Sequence, residues 1–210
     1  MTEVVSIESD GAAAAREALE QTIADGGVAV FPADTLYGLG CDPLNAAAIA
    51  RIHAIKGRDD GKPSAVLYFN PLAMRELISG IGPGARAAMG ALLPGPVTLV
   101  IANPEGRYPL ACGEDPGRLG VRLIEGPLLG VALPLFQTSA NPSAAAAPAS
   151  FERIDPAVIE AADIAIDGGE LGGEPSTVID VTALEAGGDW ELLREGALSA
   201  AEVAARLELD

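Results

Sequence analysis

The sequence predicts an α/β fold in which helices pack against a β-sheet, and three observations support this. Aliphatic residues supply the apolar mass, since hydrophobic residues make up 49% of the 210 residues and aromatic residues only 4%. Segments with helical periodicity alternate with short apolar segments of strand length. No internal repeat or linker divides the chain, so we expect one continuous core and a single domain over residues 1–210.

The first elements follow from the spacing of apolar residues and from turn signals. A strand is predicted at 4–7, followed by a helix that Ser9 or Asp10 caps and that runs to Ala24. A second strand is predicted at 28–31. It leads into the segment PADTLYGLG, which we interpret as a Gly-containing turn that presents Thr35 and Tyr37 at the end of a sheet strand.

The most clearly bounded helix is predicted at 46–56. Asn45 stands in the N-cap position, isoleucines such as Ile52 mark a buried side, and Gly57 occupies the C′ position. This prediction places Lys56 in the last helical turn.

The remaining elements are predicted in the same way, and a nearly continuous apolar segment indicates an interior strand at 97–102. Further strands are expected at 65–69, 118–124, 135–138, 164–167, 177–181 and 191–193. Further helices are expected at 74–79, 83–92, 126–133, 156–162 and 199–207. Residues 103–116 are predicted to form a loop.

The charge of the chain argues against a protein that binds nucleic acid over a broad surface. The sequence has 30 acidic and 13 basic residues and a formal net charge of -17. Proteins that bind nucleic acid over a broad surface do so mainly by neutralising phosphates. We therefore expect any binding of tRNA to be weak or indirect.

Other residue patterns argue against metal, disulfide and membrane classes. Cys41 and Cys112 belong to no CxxC pair, so we expect two buried free thiols. The single histidine, His53, excludes a multi-histidine metal site and leaves little room for a Ser-His-Asp arrangement. The sequence shows no signal-peptide pattern and no long uncharged apolar segment, which predicts a cytoplasmic protein without a membrane span.

Basic residues are scarce but concentrated. The two lysines, Lys56 and Lys62, lie on either side of Arg58 in the segment KGRDDGK. In an acidic protein, such a cluster indicates a site for an anionic small molecule such as a nucleotide phosphate. A solvated helix end is the alternative, because cations near a helix C-terminus stabilise the helix.

A second pair of cations lies in the predicted strand RLGVRLI. Strand alternation puts Arg118, Gly120 and Arg122 on one face, where two guanidinium groups flank a residue without a side chain. This arrangement is suited to binding an anion close to the backbone. An exposed strand face paired with glutamates is the alternative.

Two polar segments lie at the ends of predicted strands, one after a strand and one before a strand. The segment QTSANPS contains Ser139 and Asn141, and the segment GGEPSTVIDV presents Ser176 at the start of a strand. Both segments suit contacts to a nucleotide or an amino acid, although these residues alone favour an Asx or Ser/Thr turn before Pro142 as the explanation of QTSANPS. No P-loop or dinucleotide fingerprint follows a strand.

Taken in order, these segments resemble the YrdC-like family of L-threonylcarbamoyladenylate synthases from about Gly26 to Gly196. The matching segments are PADTLYGLG, KGR with a following KP, PGPVTLV, VRL, TSAN, STVID and LREG. The family's paired signature, Lys-x-Arg and later Ser-x-Asn, stands here as Lys56, Arg58, Ser139 and Asn141. Six of the 13 basic residues fall in these segments, namely Lys56, Arg58, Lys62, Arg118, Arg122 and Arg194.

The resemblance implies a twisted mixed sheet with surrounding helices and an open concave site. It implies a nucleotidyltransferase that converts L-threonine, bicarbonate or CO2, and ATP to L-threonylcarbamoyladenylate and pyrophosphate. This product is the activated donor for tRNA threonylcarbamoyladenosine modification, so the implied partners are proteins that transfer the threonylcarbamoyl group to tRNA. Mg²⁺ is expected to accompany ATP, held by phosphate oxygens and water rather than by protein carboxylates.

The resemblance also implies a role for individual residues. The implied ATP-binding residues are Lys56, Arg58, Lys62, Arg118, Ser139, Asn141 and Arg194. Within this set, Lys56 and Arg58 are the implied catalytic residues. The implied threonine-binding residues are Thr35, Arg122 and Ser176, with Arg122 as the partner of the carboxylate.

The chain departs from the family pattern at several positions, including Ala33, Ala144 and Glu195, where Thr, Gly and Pro are usual. These departures leave open a relative that keeps the fold and the nucleotide pocket but has altered chemistry. An RNA-binding module is a second alternative, which the net charge disfavours. The sequence ends soon after LREG, so we do not expect the additional C-terminal domain of longer members.

Overall fold

The computed structural model describes residues 2–57, 61–143 and 145–208, which form one mixed β-sheet with helices packed on it. The strands are β1 (Glu3–Ser6), β2 (Ala29–Pro32), β3 (Tyr37–Cys41), β4 (Ala65–Tyr68), β5 (Val97–Ala102), β6 (Arg118–Leu123), β7 (Leu135–Ser139), β8 (Ile164–Asp167), β9 (Thr177–Asp180) and β10 (Glu191–Arg194). The α-helices are α1 (Ala12–Ala24), α2 (Ala46–Lys56), α3 (Arg75–Gly80), α4 (Pro83–Leu92), α5 (Pro156–Ala161) and α6 (Ala200–Leu207). No helix in the described ranges is both long enough and apolar enough to cross a membrane.

The strands lie in the order β1-β8-β2-β3-β7-β4-β6-β5-β9-β10. The sheet contains parallel pairs, such as β4 with β6 and β5 with β9, and antiparallel pairs, such as β3 with β7 and β5 with β6. Every described strand therefore belongs to one continuous sheet.

Neighbouring residues on a strand point to opposite faces of this sheet, and each face has its own core. Val30 and Val66 belong to a large cluster that includes residues of α2 and α4. Phe31 and Leu67 belong to a second cluster with α1, whose Leu19 is completely buried. The α1 cluster covers only part of its face, and the remainder of that face is open.

Helix α2 has the predicted bounds and the predicted caps. The side chain of Asn45 accepts a hydrogen bond from the backbone N of Ala48 at 3.1 Å. Gly57 ends the helix with φ of 59°, a left-handed conformation that strongly favours glycine. Helix α4 and strand β5 also begin and end at the predicted residues.

The predicted turn at PADTLYGLG is wrong after Leu36, because residues 37–41 form strand β3 between β2 and β7. Its glycines leave room for a cross-strand aromatic ring. A Cβ on Gly38 would lie 3.0 Å from Cζ of Phe31, and a Cβ on Gly40 would lie 2.8 Å from Cε1 of the same ring. The glycines that suggest a turn in the sequence thus make space for Phe31.

The predicted helix at 126–133 is also wrong, since these residues form turns. Gly126 and Gly130 have φ of 129° and 104°, which are incompatible with a continuous right-handed helix.

The predicted cap of α1 is wrong as well. The residue in the N-cap position is Gly11, and the Asp10 carboxylate instead accepts a hydrogen bond from the backbone N of Ser6 at 2.8 Å. The predicted state of the cysteines is confirmed, because Cys41 and Cys112 are buried free thiols. Burial raises the pKa of the Cys41 thiol to about 12, so this group stays protonated at neutral pH.

Candidate active site

The open part of the α1 face contains a cavity of about 640 Å³. The register places Arg122, which lines the cavity, directly opposite Leu67 of the α1 cluster, so both belong to the same face. The predicted site residues that line it are Thr35, Lys56, Lys62, Arg118, Arg122, Ser139, Asn141, Ser176 and Arg194. Arg58, the remaining predicted residue, lies outside the described residues, as does Ala144.

Lys56 joins the end of α2 to the loop that follows β7. Its side chain is buried, and its Nζ donates hydrogen bonds to the backbone oxygens of Ser139 at 2.5 Å and Asn141 at 2.7 Å. The backbone N of Ser143 donates to the Lys56 oxygen at 2.7 Å. Lys56 is therefore not part of a solvated helix end. These contacts bring the described members of the Lys-x-Arg and Ser-x-Asn signature together at one edge of the cavity.

The turn interpretation of QTSANPS is correct in part. The side-chain Nδ2 of Asn141 donates to the backbone oxygens of Pro142 at 3.0 Å and Ala145 at 2.6 Å. These bonds fix the loop locally, while Ser139 and Asn141 still line the cavity. A local turn and a ligand-binding loop are thus compatible here.

Arg122 is a buried cation with a buried counter-charge. Its side chain is 5% exposed, and its Nη2 donates a hydrogen bond to Oδ1 of Asp34, whose side chain is 14% exposed. Burial raises the pKa of Asp34 although the neighbouring Arg122 lowers it. Arg122 therefore does not belong to an exposed face paired with glutamates. Our sequence reasoning did not single out Asp34, although it lies within PADTLYGLG.

Arg118 is half exposed and is held by two aspartates. Its Nη1 lies 2.8 Å from Oδ2 of Asp180, and its Nε lies 3.4 Å from Oδ2 of Asp115. Asp180 is itself buried, and its Oδ1 accepts hydrogen bonds from the backbone and hydroxyl of Thr182. Strand β9 thus fixes the position of Arg118, whose partner Asp180 was another residue that the sequence analysis missed.

Arg194, an exposed residue, is hydrogen-bonded to the buried polar residues Ser176 and Thr98 through a short chain. Nη2 of Arg194 donates to the backbone oxygen of Ser176 at 2.7 Å and to its Oγ at 3.1 Å. The Ser176 hydroxyl is 2.9 Å from the hydroxyl of Thr98. Partial burial lowers the pKa of Arg194, and the charge of Arg122, which lines the same cavity, lowers it further.

Thr98 is a further cavity residue that the sequence analysis missed. A signal for it exists, because Thr98 is the one polar residue in the otherwise apolar strand VTLVIA. A hydroxyl in a buried strand requires a hydrogen-bond partner, and here that partner is Ser176.

Thr35 and Tyr37 hold the Gly-rich segment at 168–173 against the cavity. The Thr35 backbone oxygen accepts a hydrogen bond from the backbone N of Gly173 at 3.0 Å. The Tyr37 hydroxyl donates to the Gly169 oxygen at 2.8 Å and accepts from the Gly168 nitrogen at 2.9 Å. The PADTLYGLG segment therefore lines the cavity and also positions a second loop beside it.

These features define a class of protein: an α/β domain whose sheet carries a concave site for small anions. The chain is strongly acidic, yet Lys56, Lys62, Arg118, Arg122 and Arg194 all line one cavity. Clustered cations on a concave surface concentrate anionic ligands there.

Comparison with known proteins places this chain in a family within that class. The Sua5/YciO/YrdC family model, described as "Telomere recombination", matches residues 21–196. The chain belongs to this family.

The relatives extend over most of the chain. The threonylcarbamoyl-AMP synthase of Thiobacillus denitrificans is 34% identical over 180 residues, which cover 80% of this chain and 91% of that protein. E. coli YciO has a TM-score of 0.79 and 25% identity, covering 97% of this chain and 100% of YciO. P. abyssi Sua5 in complex with L-threonine has a TM-score of 0.81 and 27% identity, covering 98% of this chain. The match spans 60% of the length of that Sua5 chain.

Proposed function

We propose that this protein is a threonylcarbamoyl-AMP synthase, which makes L-threonylcarbamoyladenylate and pyrophosphate from L-threonine, bicarbonate or CO2, and ATP. The observation that carries the proposal is the concentration of cations in one cavity of a chain with a formal charge of -17. The names of its relatives, and the L-threonine bound to P. abyssi Sua5, support the choice of substrates.

Two adjoining subsites account for the two large substrates. We assign ATP to a set that includes the Lys-x-Arg and Ser-x-Asn residues: Lys56, Arg58, Lys62, Arg118, Ser139, Asn141 and Arg194. We assign L-threonine to Thr35, Arg122 and Ser176, with Arg122 binding the carboxylate. The hydrogen bonds between Arg194 and Ser176 support the proposal that the two subsites adjoin, because they bring one residue of each set into contact.

Such adjoining sites suit nucleotidyl transfer. The neutral amine of threonine attacks CO2 and loses a proton to solvent, and an oxygen of the resulting carbamate attacks the α-phosphorus of ATP while pyrophosphate leaves. This reaction requires positioning and stabilisation of phosphate charge more than covalent help from the protein. The buried cations Lys56 and Arg122 supply fixed positive charge at the two ends of the proposed reaction path.

Mg²⁺ is proposed to enter with ATP and to neutralise phosphate charge. Among the described residues, no group of three or more His, Cys, Asp or Glu side chains is arranged to hold a metal ion. Phosphate oxygens and water are the ligands we propose for it, because Mg²⁺ usually keeps several waters and binds through substrate phosphates.

The proposed product requires a protein that transfers the threonylcarbamoyl group to tRNA. We propose that tRNA meets that protein rather than this one, since the acidic surface disfavours polyanions. The proposed location is the cytoplasm, where ATP and tRNA are available.

The decisive experiment follows pyrophosphate release and adenylate formation in the same reaction. We expect pyrophosphate release from ATP only when L-threonine and bicarbonate are both present, because the carbamate is the nucleophile. A panel of other amino acids serves as the control. ATP turnover that is indifferent to either co-substrate would reject the synthase and favour a family relative with altered chemistry.

A further inference from the structure

The Arg122–Asp34 pair has one polar atom on each side that the protein does not use. Among the described residues, Nε of Arg122 and Oδ2 of Asp34 are buried and have no hydrogen-bond partner. Burying a guanidinium group requires a counter-charge, and Asp34 supplies it. Asp34 holds the guanidinium group through Nη2, and Arg122 lines the cavity, so this ion pair fixes the position of the charge that a ligand there would meet.

Asp34 affects the cavity indirectly, through Arg122. Among the described residues, Thr35 and Arg122 line the cavity, whereas Asp34 does not. Asp34 lies just after β2, and its described side-chain partner is Arg122. Its influence on a ligand therefore passes through the position and charge of Arg122.

Asp34 also affects the net charge of the part of the cavity that Arg122 lines. Arg122 and Asp34 together carry no net charge, so Asp34 limits the positive charge that this subsite offers to an anion. Without the charge of Asp34, the positive charge of Arg122 would be uncompensated, and the same subsite would attract dianions more strongly.

We infer that Asp34 is a positioning and specificity-determining residue, which orients Arg122 and makes this subsite selective for an amino acid with one carboxylate over dianionic ligands. The inference rests on the proposed function in placing an amino acid beside Arg122. It adds a residue and a physical basis for selectivity to that site.

The test compares Asp34→Asn with wild type by calorimetric titration of L-threonine and L-aspartate and by steady-state kinetics. We expect the KM for threonine to rise about tenfold or more and the KM for ATP to change less than about threefold. The preference for threonine over aspartate should fall by about tenfold. Asp163→Asn is the matched control, because Asp163 pairs with Arg51 outside the cavity and its loss should change neither KM.

A double-mutant cycle separates positioning from simple structural support. In an Arg122→Ala background, Asp34→Asn should cause little further loss of threonine affinity, because Asp34 acts through Arg122. Asp34→Glu retains the charge and should retain the preference over aspartate even where its threonine affinity is reduced. It also provides the test if Asp34→Asn does not fold.

Additive losses in the cycle, equal changes in both KM values, or an unchanged preference over aspartate would overturn the inference. Wild-type protein that binds no amino acid would overturn it too. Wild-type protein that binds threonine selectively but forms no adenylate would reject the proposed function alone, since the selectivity test depends only on binding.

Discussion

At the scale of single residues, each arginine of the cavity has a different kind of partner. Arg122 is buried against one carboxylate, Arg118 is half exposed between two, and Arg194 donates to the uncharged Ser176. Equal charges in different surroundings contribute differently to binding, because burial strengthens electrostatic interactions. The three arginines are therefore expected to differ in the ligand that each one affects.

Arg122→Ala should mainly raise the KM for threonine, and Arg118→Ala should mainly raise the KM for ATP. Loss of a charged hydrogen bond is worth roughly 1.5–3 kcal/mol, or about 10- to 150-fold. Arg118 should fall at the lower end, since its side chain is 53% exposed. Steady-state kinetics with each substrate varied in turn provides the measurement. Small and equal effects on both substrates would show that this strand face does not bind them.

At the scale of elements, buried side chains join segments that are distant in sequence and place them around the cavity. The Thr177 hydroxyl donates to the Leu198 oxygen at 2.6 Å and accepts from the Leu198 nitrogen at 2.9 Å. These two hydrogen bonds connect the start of β9 to the segment before α6. Ser176, which lines the cavity, directly precedes Thr177, so the same tie supports the site.

Thr177→Val should lower the free energy of unfolding by roughly 1–3 kcal/mol. Valine has nearly the same shape but leaves the buried backbone N and oxygen of Leu198 without this partner. Urea denaturation monitored by circular dichroism measures the change. Thr182→Val is a comparison at a less buried site, and a loss no larger at Thr177 than at Thr182 would contradict the argument.

Asp163 gives the stability of the fold a predictable dependence on pH. Partial burial by itself raises the pKa of Asp163, but hydrogen bonds from Arg51 and from the backbone N of Val28 outweigh it and lower the pKa. A carboxylate with a lowered pKa stabilises the fold above its unfolded pKa of about 4, and this contribution is lost as pH falls through the folded pKa.

Asp163→Asn should therefore destabilise the protein at pH 7 by about 0.5–1 kcal/mol, a small effect because both partners are nearly half exposed. The difference from wild type should shrink as the pH falls below about 4. Urea denaturation across this pH range provides the measurement. A difference that stays constant down to the lowest pH would mean that the charge of Asp163 is not the cause.

At the scale of the whole molecule, an acidic surface surrounds a cationic cavity. The formal charge of -17 repels long polyanions over roughly a Debye length of ~8 Å, while the basic residues of the cavity attract ligands small enough to enter. The distribution of charge, rather than its sum, thus favours a nucleotide over an RNA molecule.

Binding of ATP should depend far less on salt than binding of a tRNA, and free tRNA should bind very weakly at moderate salt. The reason is that a long polyanion needs many phosphate contacts, each sensitive to salt. Paired titrations of ATP and tRNA at several salt concentrations test this. Tight tRNA binding with a steep salt dependence, together with undetectable ATP binding, would make an RNA-binding module the leading function.

Local signals predicted the fold well where one segment contains all the information. Asn45 and Gly57 define both ends of α2, and the apolar run of β5 identifies an interior strand. The predictions failed where glycine serves a distant partner, as Gly38 and Gly40 do for Phe31, or where positive φ angles replace a helix, as at Gly126 and Gly130.

The sequence by itself determined the α/β class, the scarcity of positive charge, and the segments in which that charge is concentrated, because composition and order are properties of the chain alone. Only the tertiary structure decided the partners of those charges. Lys56 meets Ser139 and Asn141, Arg118 meets Asp180, and Arg122 meets Asp34 across strands that the sheet topology brings together. The physical reason is that burial and counter-charge depend on distance in space, which the mixed order of the strands separates from distance in sequence.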